Sequence, residues 1–128
     1  MKLLLDTHIF IWAFAEPHKL SADVRDVVEN PTNNLILSVV SVWEMQIKVQ
    51  LGKLNLPVPV REFVEVQRHL NHIESLPVLE PHIWTLGTLP MHHRDPFDRL
   101  LIAQAMTEQC KLVSADPIFA LYPVQRLP

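Results

Sequence analysis

Short apolar runs alternate with longer amphipathic segments along the 128 residues of this chain. The runs at residues 3–5 and 35–37 are continuous and bounded by polar or turn residues, which is typical of strands buried on both faces of a parallel sheet. The intervening segments place apolar residues at helical spacing, as at Phe63, Val66 and Leu70. The alternation predicts one α/β domain, residues 1–128, with a largely parallel sheet covered on both faces.

The predicted elements follow this alternation from one end of the chain to the other. Strands are expected over residues 2–5, 35–37, 72–76 and 111–114, with a last edge strand over residues 122–124. Helices are expected over residues 7–14, 21–30, 41–51, 60–70, 81–86 and 96–109. Ser21 and Asp95 are predicted N-caps, and Gly52 is predicted to end a helix.

Composition and charge restrict the class of protein. Apolar residues make up 48% of the chain and charged residues 20%, which is ordinary for a globular domain. The single cysteine, Cys110, cannot form an internal disulfide. The apolar start is interrupted by Asp6 and is too short for a signal peptide or a membrane span, so a cytoplasmic protein without a membrane segment is expected. The formal net charge of −3 argues mildly against a tight, nonspecific nucleic-acid binder.

Acidic residues fall at the same predicted edge of the sheet. Asp6 ends the first strand, Glu44 is expected in the first turn of the helix after the second strand, Asp98 opens a later helix, and Asp116 follows the strand at 111–114. Chain direction places all of them at the carboxyl end of the strands, where sites form in such sheets. Clustered carboxylates repel one another unless a cation joins them, and oxygen ligands suit Mg²⁺ or Mn²⁺. The pattern predicts a metal site for phosphoryl transfer or hydrolysis, with Asp95 as a further candidate ligand.

Several of these acids also have a structural interpretation when each is taken alone. Glu44 is three residues after Ser41, which is the spacing of a capping box. Asp95 suits an N-cap, and Asp98 suits the first turn of a helix. Asp6 is harder to explain in this way, because an acid directly after a buried apolar strand needs a partner or a cation. Taken together, the acids favour the functional interpretation.

Basic residues near the predicted acids are candidates for substrate binding. Arg94 and Arg99 flank the acids, and Lys48 lies one helical turn beyond Glu44. Each could contact a phosphate, and each could equally be surface charge or the partner of an acid in an ion pair.

The histidines and tryptophans carry a weaker functional signal. The seven histidines show no recognisable zinc spacing, and the adjacent His92 and His93 are expected to point their rings apart. Trp12, Trp43 and Trp84 stand among apolar residues, so they are expected in the core or in an interface rather than stacked on bases.

Four sequence motifs resemble those of the PIN-domain ribonucleases. Residues 3–8, LLLDTH, resemble the family's opening strand with its first acid, and residues 38–44, SVVSVWE, resemble the segment with its second acid. Residues 93–105, HRDPFDRLLIAQA, are the most specific stretch, and residues 112–119, LVSADPIF, resemble the closing motif. The likeness spans nearly the whole chain in order, and it is to the VapC type of toxin from bacterial or archaeal toxin–antitoxin pairs.

This resemblance implies a three-layer α/β/α PIN-like sandwich around a mainly parallel sheet of four to five strands. It also implies a Mg²⁺- or Mn²⁺-dependent endoribonuclease that acts on RNA as a toxin, usually as a homodimer, and is held inactive by a cognate antitoxin. By position, Asp6 and Asp98 are implied as the principal metal ligands, and Glu44 and Asp116 as completing the acidic set directly or through water. Much of the family retains only the Asp98 position of its motif, so Asp95 is either a further ligand or only the cap of the helix.

Two departures from the family pattern and one apolar segment accompany the resemblance. His8 stands where asparagine is commoner, and Ser114 stands where threonine is commoner, but both residues still form hydrogen bonds. The candidates for a dimer or antitoxin surface are the apolar residues near the start of the chain: Phe10, Ile11, Trp12 and Phe14.

Two other functions are alternatives to the ribonuclease interpretation. A catalytically inactive PIN-like module that binds protein or RNA has no use for four convergent carboxylates. A phosphatase or phospho-acceptor domain commonly has a second acid beside its nucleophilic aspartate and a lysine at the end of a late strand. The segment around Asp6 lacks that second acid, and Lys111 begins a predicted strand rather than ending one.

Overall fold

A computed structural model describes residues 1–127 of the chain and contains a five-stranded sheet. Its strands are β1 (Lys2–Leu5), β2 (Asn34–Ser38), β3 (Glu74–Leu76), β4 (Lys111–Val113) and β5 (Arg126–Leu127). The order across the sheet is β3-β2-β1-β4-β5, and all neighbouring strands are parallel. The prediction of a mainly parallel sheet of four to five strands is therefore confirmed.

Six α-helices connect and cover these strands, because parallel neighbours need crossover connections. They are α1 (Thr7–Ala15), α2 (Ala22–Glu29), α3 (Val39–Gln50), α4 (Val60–Asn71), α5 (Glu80–Leu86) and α6 (Pro96–Thr107). Short 3-10 helices span Pro17–Lys19 and Pro117–Leu121. No helix within residues 1–127 combines the length and the apolar character that a membrane crossing requires.

Both faces of the sheet are buried, as the continuous apolar runs predict. Successive strand residues point to opposite faces, so Leu3 and Leu5 join one core cluster and Leu4 joins the other. The first cluster includes residues of α1, α2 and α4, and the second is built largely on α6. Burying one such leucine side chain contributes about 1.5–3 kcal/mol. The result is the three-layer α/β/α sandwich that the resemblance implies.

The last strand lies later in the chain than predicted. The expected strand over residues 122–124 is wrong, because Tyr122 ends the second 3-10 helix and is buried in the second core cluster. Pro123 has no N–H to give to a ladder, and the N–H of Val124 donates to the Tyr122 carbonyl in a turn. Pairing with β4 resumes only at Arg126 and Leu127.

Helix α3 begins two residues before the predicted start. Its N-cap is Ser38, whose side chain accepts a hydrogen bond from the N–H of Val40. Ser41 is fully buried inside the helix and does not cap it. The capping-box interpretation of Glu44 is therefore wrong, and Glu44 lies in the second turn of α3 rather than the first.

Candidate active site

The predicted acids lie around the carboxyl edge of the sheet, as the direction of the chain requires. Asp6 directly follows β1, Glu44 projects from the start of α3, and Asp98 is in the first turn of α6. Asp6 and Glu44 are buried, the side chain of Asp98 is 17% exposed, and Asp116 is exposed. The electrostatic influence of Asp95, Asp6 and Glu44 reaches Asp98, so these acids share one neighbourhood.

The Asp6 carboxylate is held on both oxygens. Its Oδ1 accepts the backbone N–H of His8 at 2.8 Å, which caps α1. Its Oδ2 accepts the hydroxyl of Ser114 at 2.6 Å, and the same hydroxyl accepts the N–H of Asp116 at 3.1 Å. Ser114 thus joins the acid that follows β1 to the acid that follows β4. The Ser114 hydroxyl therefore forms the hydrogen bonds expected of it from the sequence.

The Glu44 carboxylate is held by a hydroxyl and an ammonium group. Thr7 Oγ1 lies 2.8 Å from Glu44 Oε1 and 2.8 Å from the hydroxyl oxygen of Ser41. Since Thr7 has a single hydroxyl proton, it donates to the carboxylate and accepts from Ser41. Lys48 Nζ lies 2.6 Å from Glu44 Oε2, with the two residues one turn apart on α3. The Glu44 carboxylate is therefore already paired with the ammonium group of Lys48.

Asp95 and Asp98 occupy the start of α6 together with a histidine. Asp95 Oδ1 accepts the N–H groups of Phe97 and Asp98, so the predicted N-cap is present. Asp98 Oδ2 lies 2.8 Å from His93 Nε2. One ligand atom from each of His93, Asp95 and Asp98 falls within 4.8 Å of the others, an arrangement able to hold a metal ion.

The site has an excess of negative charge. The pKa of Asp98 is raised to about 6: burial raises it most, the hydrogen bond from His93 lowers it, and the charges of Asp95, Asp6 and Glu44 add to the rise. The pKa of His8 is raised chiefly by the Asp6 carboxylate, which lies 3.7 Å from its ring. Burial opposes the charge on Lys48, yet the hydrogen bond to Glu44 and the nearby acids raise its pKa. Each of these shifts indicates an edge that favours bound cations.

The candidate substrate-binding residues differ in their surroundings. Lys48 is engaged with Glu44, which is the ion-pair alternative considered from the sequence. Arg99 donates to the Pro90 carbonyl at 2.8 Å and approaches the hydroxyl of Tyr122 at 3.4 Å. Arg94 is exposed to solvent beside the acids.

The exposure of two tryptophans excludes the core for them and leaves the interface alternative. Trp43 and Trp84 are 58% and 65% exposed, so they are not core residues. Trp43 packs edge-on against Phe97 with ring centroids 5.0 Å apart, and these two residues directly precede Glu44 and Asp98 in the chain.

The apolar segment near the start of the chain is only partly accessible. Phe10 and Ile11 are 0% and 4% exposed, so they cannot supply a docking surface as expected. They fill the first core cluster because α1 lies flat on the sheet, and Trp12 and Phe14 are partly buried against the same cluster.

His93 lies at the acidic edge, although the sequence pattern did not predict it there. In the sequence His93 stands out only as half of an adjacent histidine pair, although it precedes Asp98 by five residues across the start of a helix. The turn before α6 brings His93 back toward Asp98, so that the ring reaches the carboxylate.

A cavity of about 510 Å³ lies elsewhere, among residues at the start of β2 and the end of α4, and none of the predicted acids lines it.

Known proteins resemble this chain along most of its length. The sequence pattern of the PIN domain matches residues 3–124. The chain is 28% identical over 115 residues to Ribonuclease VapC22 of Mycobacterium tuberculosis, covering 89% of this chain and 86% of that protein.

Solved structures share the fold at lower sequence identity. A chain of VapBC2 from Rickettsia felis, bound to a DNA fragment from its promoter, superposes with a TM-score of 0.72 at 17% identity, covering 99% of this chain and 98% of that one. A chain of DNA-bound VapBC from Salmonella typhimurium gives 0.69 at 16% identity, covering 100% and 97%. The match to the family pattern, over nearly the full length, is decisive: this chain belongs to the PIN domain family.

Proposed function

We propose that the protein is a Mg²⁺- or Mn²⁺-dependent endoribonuclease, the toxin of a toxin–antitoxin pair. Its similarity to Ribonuclease VapC22 supports hydrolysis of RNA phosphodiester bonds. The observation that carries the proposal is the gathering of acids around Asp98: ligand atoms of His93, Asp95 and Asp98 lie within 4.8 Å of one another, and Asp6 and Glu44 are near enough for their charges to repel that of Asp98. A site that only bound protein or RNA would gain nothing from this repulsion, whereas a divalent cation removes it.

The donor atoms present fit such an ion. Asp6 and Asp98 are the proposed principal ligands, with Glu44 and Asp116 completing the set directly or through water, and Asp95 as a further ligand. Carboxylate oxygens are the preferred partners of Mg²⁺ and Mn²⁺. Ligand atoms of Asp95, Asp98 and His93 lie within 4.8 Å of one another, close enough to share one ion.

The proposed mechanism divides the work among the acids. When bound, a divalent ion supplies positive charge for the phosphoryl oxygens and makes water more acidic. Asp6 and Asp98 hold that ion, and Glu44 or Asp116 orients the attacking water. Thr7 and Ser114 fix the carboxylates of Glu44 and Asp6 before the substrate arrives.

Basic residues are proposed to receive the RNA backbone. Arg94 is exposed beside the acids and is the best placed of the candidates to meet a phosphate. Lys48 and Arg99 are proposed as secondary contacts, since each first has to leave an intramolecular partner. Where it lies in the structure, Lys48 instead offsets part of the charge of Glu44.

The proposed partners are an RNA substrate, a cognate antitoxin protein and a second copy of the chain. The fold is shared with chains of VapBC complexes, which supports an antitoxin. Exclusion chromatography with light scattering on the purified chain, alone and with the product of a neighbouring small gene, tests both protein partners directly.

The test of the function is cleavage of a mixed tRNA and rRNA pool by the purified full-length chain, with Mg²⁺ or Mn²⁺ and with EDTA. We expect discrete fragments that need the metal, and we expect Asp6→Asn and Asp98→Asn each to reduce the rate by about a hundredfold or more. Asp26→Asn, the same change at an exposed acid of α2, serves as the matched control and retains activity.

The alternative outcome is also informative. Folded wild-type protein that binds RNA without cutting it, at any metal concentration, supports the catalytically inactive binding module instead. Wild-type cleavage by either aspartate variant removes that residue from the metal site.

A further inference from the structure

His93 is held in place from two directions beside the acids of α6. Its backbone N–H donates to the hydroxyl of Tyr122 at 2.7 Å, and Tyr122 is 5% exposed and packed in the second core cluster. Its ring nitrogen Nε2 lies 2.8 Å from Asp98 Oδ2, and its side chain is 25% exposed. The backbone of His93 is thus tied to the core through Tyr122, while its imidazole contacts Asp98 and stays partly open to solvent.

The geometry of the three side chains suits a shared ion. Bonds of about 2.1 Å at right angles place adjacent ligand atoms about 3 Å apart. The 2.8 Å between His93 Nε2 and Asp98 Oδ2 is close to this spacing. Asp95 caps α6 with Oδ1, so its Oδ2 accepts neither of the two capping N–H groups, and one of its carboxylate oxygens belongs to the 4.8 Å group.

We propose that His93 is a metal ligand, so that the ion is held by an imidazole nitrogen as well as carboxylates. This inference rests on the proposed function, and it adds a donor that the four-carboxylate set lacks. Imidazole suits first-row transition metals, whereas Mg²⁺ takes oxygen ligands almost exclusively. The site therefore prefers Mn²⁺ to Mg²⁺, and the contact between His93 and Asp98 keeps the two donor atoms close together.

A histidine that only positioned Asp98 would behave differently. It would keep its hydrogen bond to the carboxylate while the ion bound the other side of that group, and its nitrogen would not be coupled to the metal. Nitrogen coordination is therefore the property that separates the two roles.

The test is pulsed EPR on the full-length chain loaded with one equivalent of Mn²⁺. We expect the modulation of a directly coordinated ¹⁴N in the wild type, and its loss in His93→Gln. The signal persists in His92→Gln, the same change at the neighbouring residue, and in His8→Gln, which removes the ring 3.7 Å from Asp6. Labelling only the histidines with ¹⁵N changes the wild-type pattern and requires no variant to fold.

The affinities of the protein for Mn²⁺ and for Mg²⁺ provide a second test of the role of His93. We expect His93→Gln to weaken Mn²⁺ binding by about tenfold or more while Mg²⁺ binding changes by less than about threefold. Equal losses for the two ions overturn the proposal.

The outcomes distinguish this inference from the proposed function. Bound Mn²⁺ without nitrogen modulation, or a signal lost only in His8→Gln, overturns the role of His93 and leaves a carboxylate site and the ribonuclease intact. No Mn²⁺ binding by the folded wild type, together with no metal-dependent cleavage, overturns both.

Discussion

At the residue scale, short hydroxyl side chains organise the acids. Thr7 holds Glu44, and Ser114 holds Asp6 while receiving the N–H of Asp116. Both hydroxyl residues are almost fully buried, at 1% exposure each. A buried carboxylate that lost such a donor would be left partly unsatisfied, at a cost of about 1–3 kcal/mol. These residues touch the carboxylates rather than the substrate, so we regard them as positioning residues.

The first prediction concerns Thr7. Thr7→Val keeps the shape of the side chain and removes the hydroxyl, so Glu44 loses the donor on Oε1 and is no longer fixed. We expect Mn²⁺ affinity, measured by titration with EPR detection of free Mn²⁺, to fall by about tenfold. Thr7→Ser keeps the hydroxyl and is expected to bind Mn²⁺ as the wild type does. Equal affinity in the valine and serine variants would contradict the positioning role.

At the element scale, sequence patterns predicted strands and helix starts where the signal is local. The apolar runs of β1, β2 and β4 are recognisable because both faces of these strands are buried. The N-caps Ser21 and Asp95 were predicted because a cap is a contact between residues two or three positions apart.

Features that depend on distant residues were not predictable in the same way. Ser38 caps α3 in place of Ser41 because Ser41 faces Thr7, a residue 34 positions away in the chain. Tyr122 is drawn into the core and to the backbone of His93, so the last strand starts later. The exposure of Trp43 depends on which face of α3 meets the sheet, and local composition does not encode that choice.

The second prediction concerns the start of α6, where Asp95 both caps the helix and faces the acids. Asp95→Ala removes the cap and is expected to lower the free energy of unfolding by about 1 kcal/mol without metal. Asp95→Asn keeps a capping oxygen and removes a charge that repels Asp98, so we expect its metal-free stability to be at least that of the wild type. Urea unfolding measures both.

Metal binding then separates the two roles of Asp95. If its second oxygen joins the ion as proposed, both variants bind Mn²⁺ more weakly, since neither retains the charge. Ser21→Ala removes the N-cap of α2 and is the matched control, expected to lose stability without losing Mn²⁺ affinity. Wild-type affinity in Asp95→Asn would show that Asp95 is only a cap.

At the scale of the whole molecule, the gathered acids lower the stability of the metal-free fold. The chain carries a formal charge of −3, and it gathers acids at one edge of the sheet where several are shielded from water. The raised pKa of Asp98 means that its charged form is less favourable in the folded protein than in the unfolded chain. The metal-free domain is therefore less stable at neutral pH than the same fold with fewer charges at this edge.

The last prediction follows from this balance. Without metal, Asp98→Asn is expected to be more stable than the wild type at pH 7, by up to about 3 kcal/mol for a pKa raised by roughly two units. With Mn²⁺ at a hundred times its Kd, the wild type gains about 2.7 kcal/mol, which for a chain of this length raises Tm by roughly 10 °C. The variant, lacking a principal ligand, gains little. Thermal unfolding with and without Mn²⁺, beside Asp26→Asn, measures how far the ion closes this difference in stability. A metal-free Asp98→Asn less stable than the wild type would mean that the hydrogen bond from His93 outweighs the repulsion among the acids.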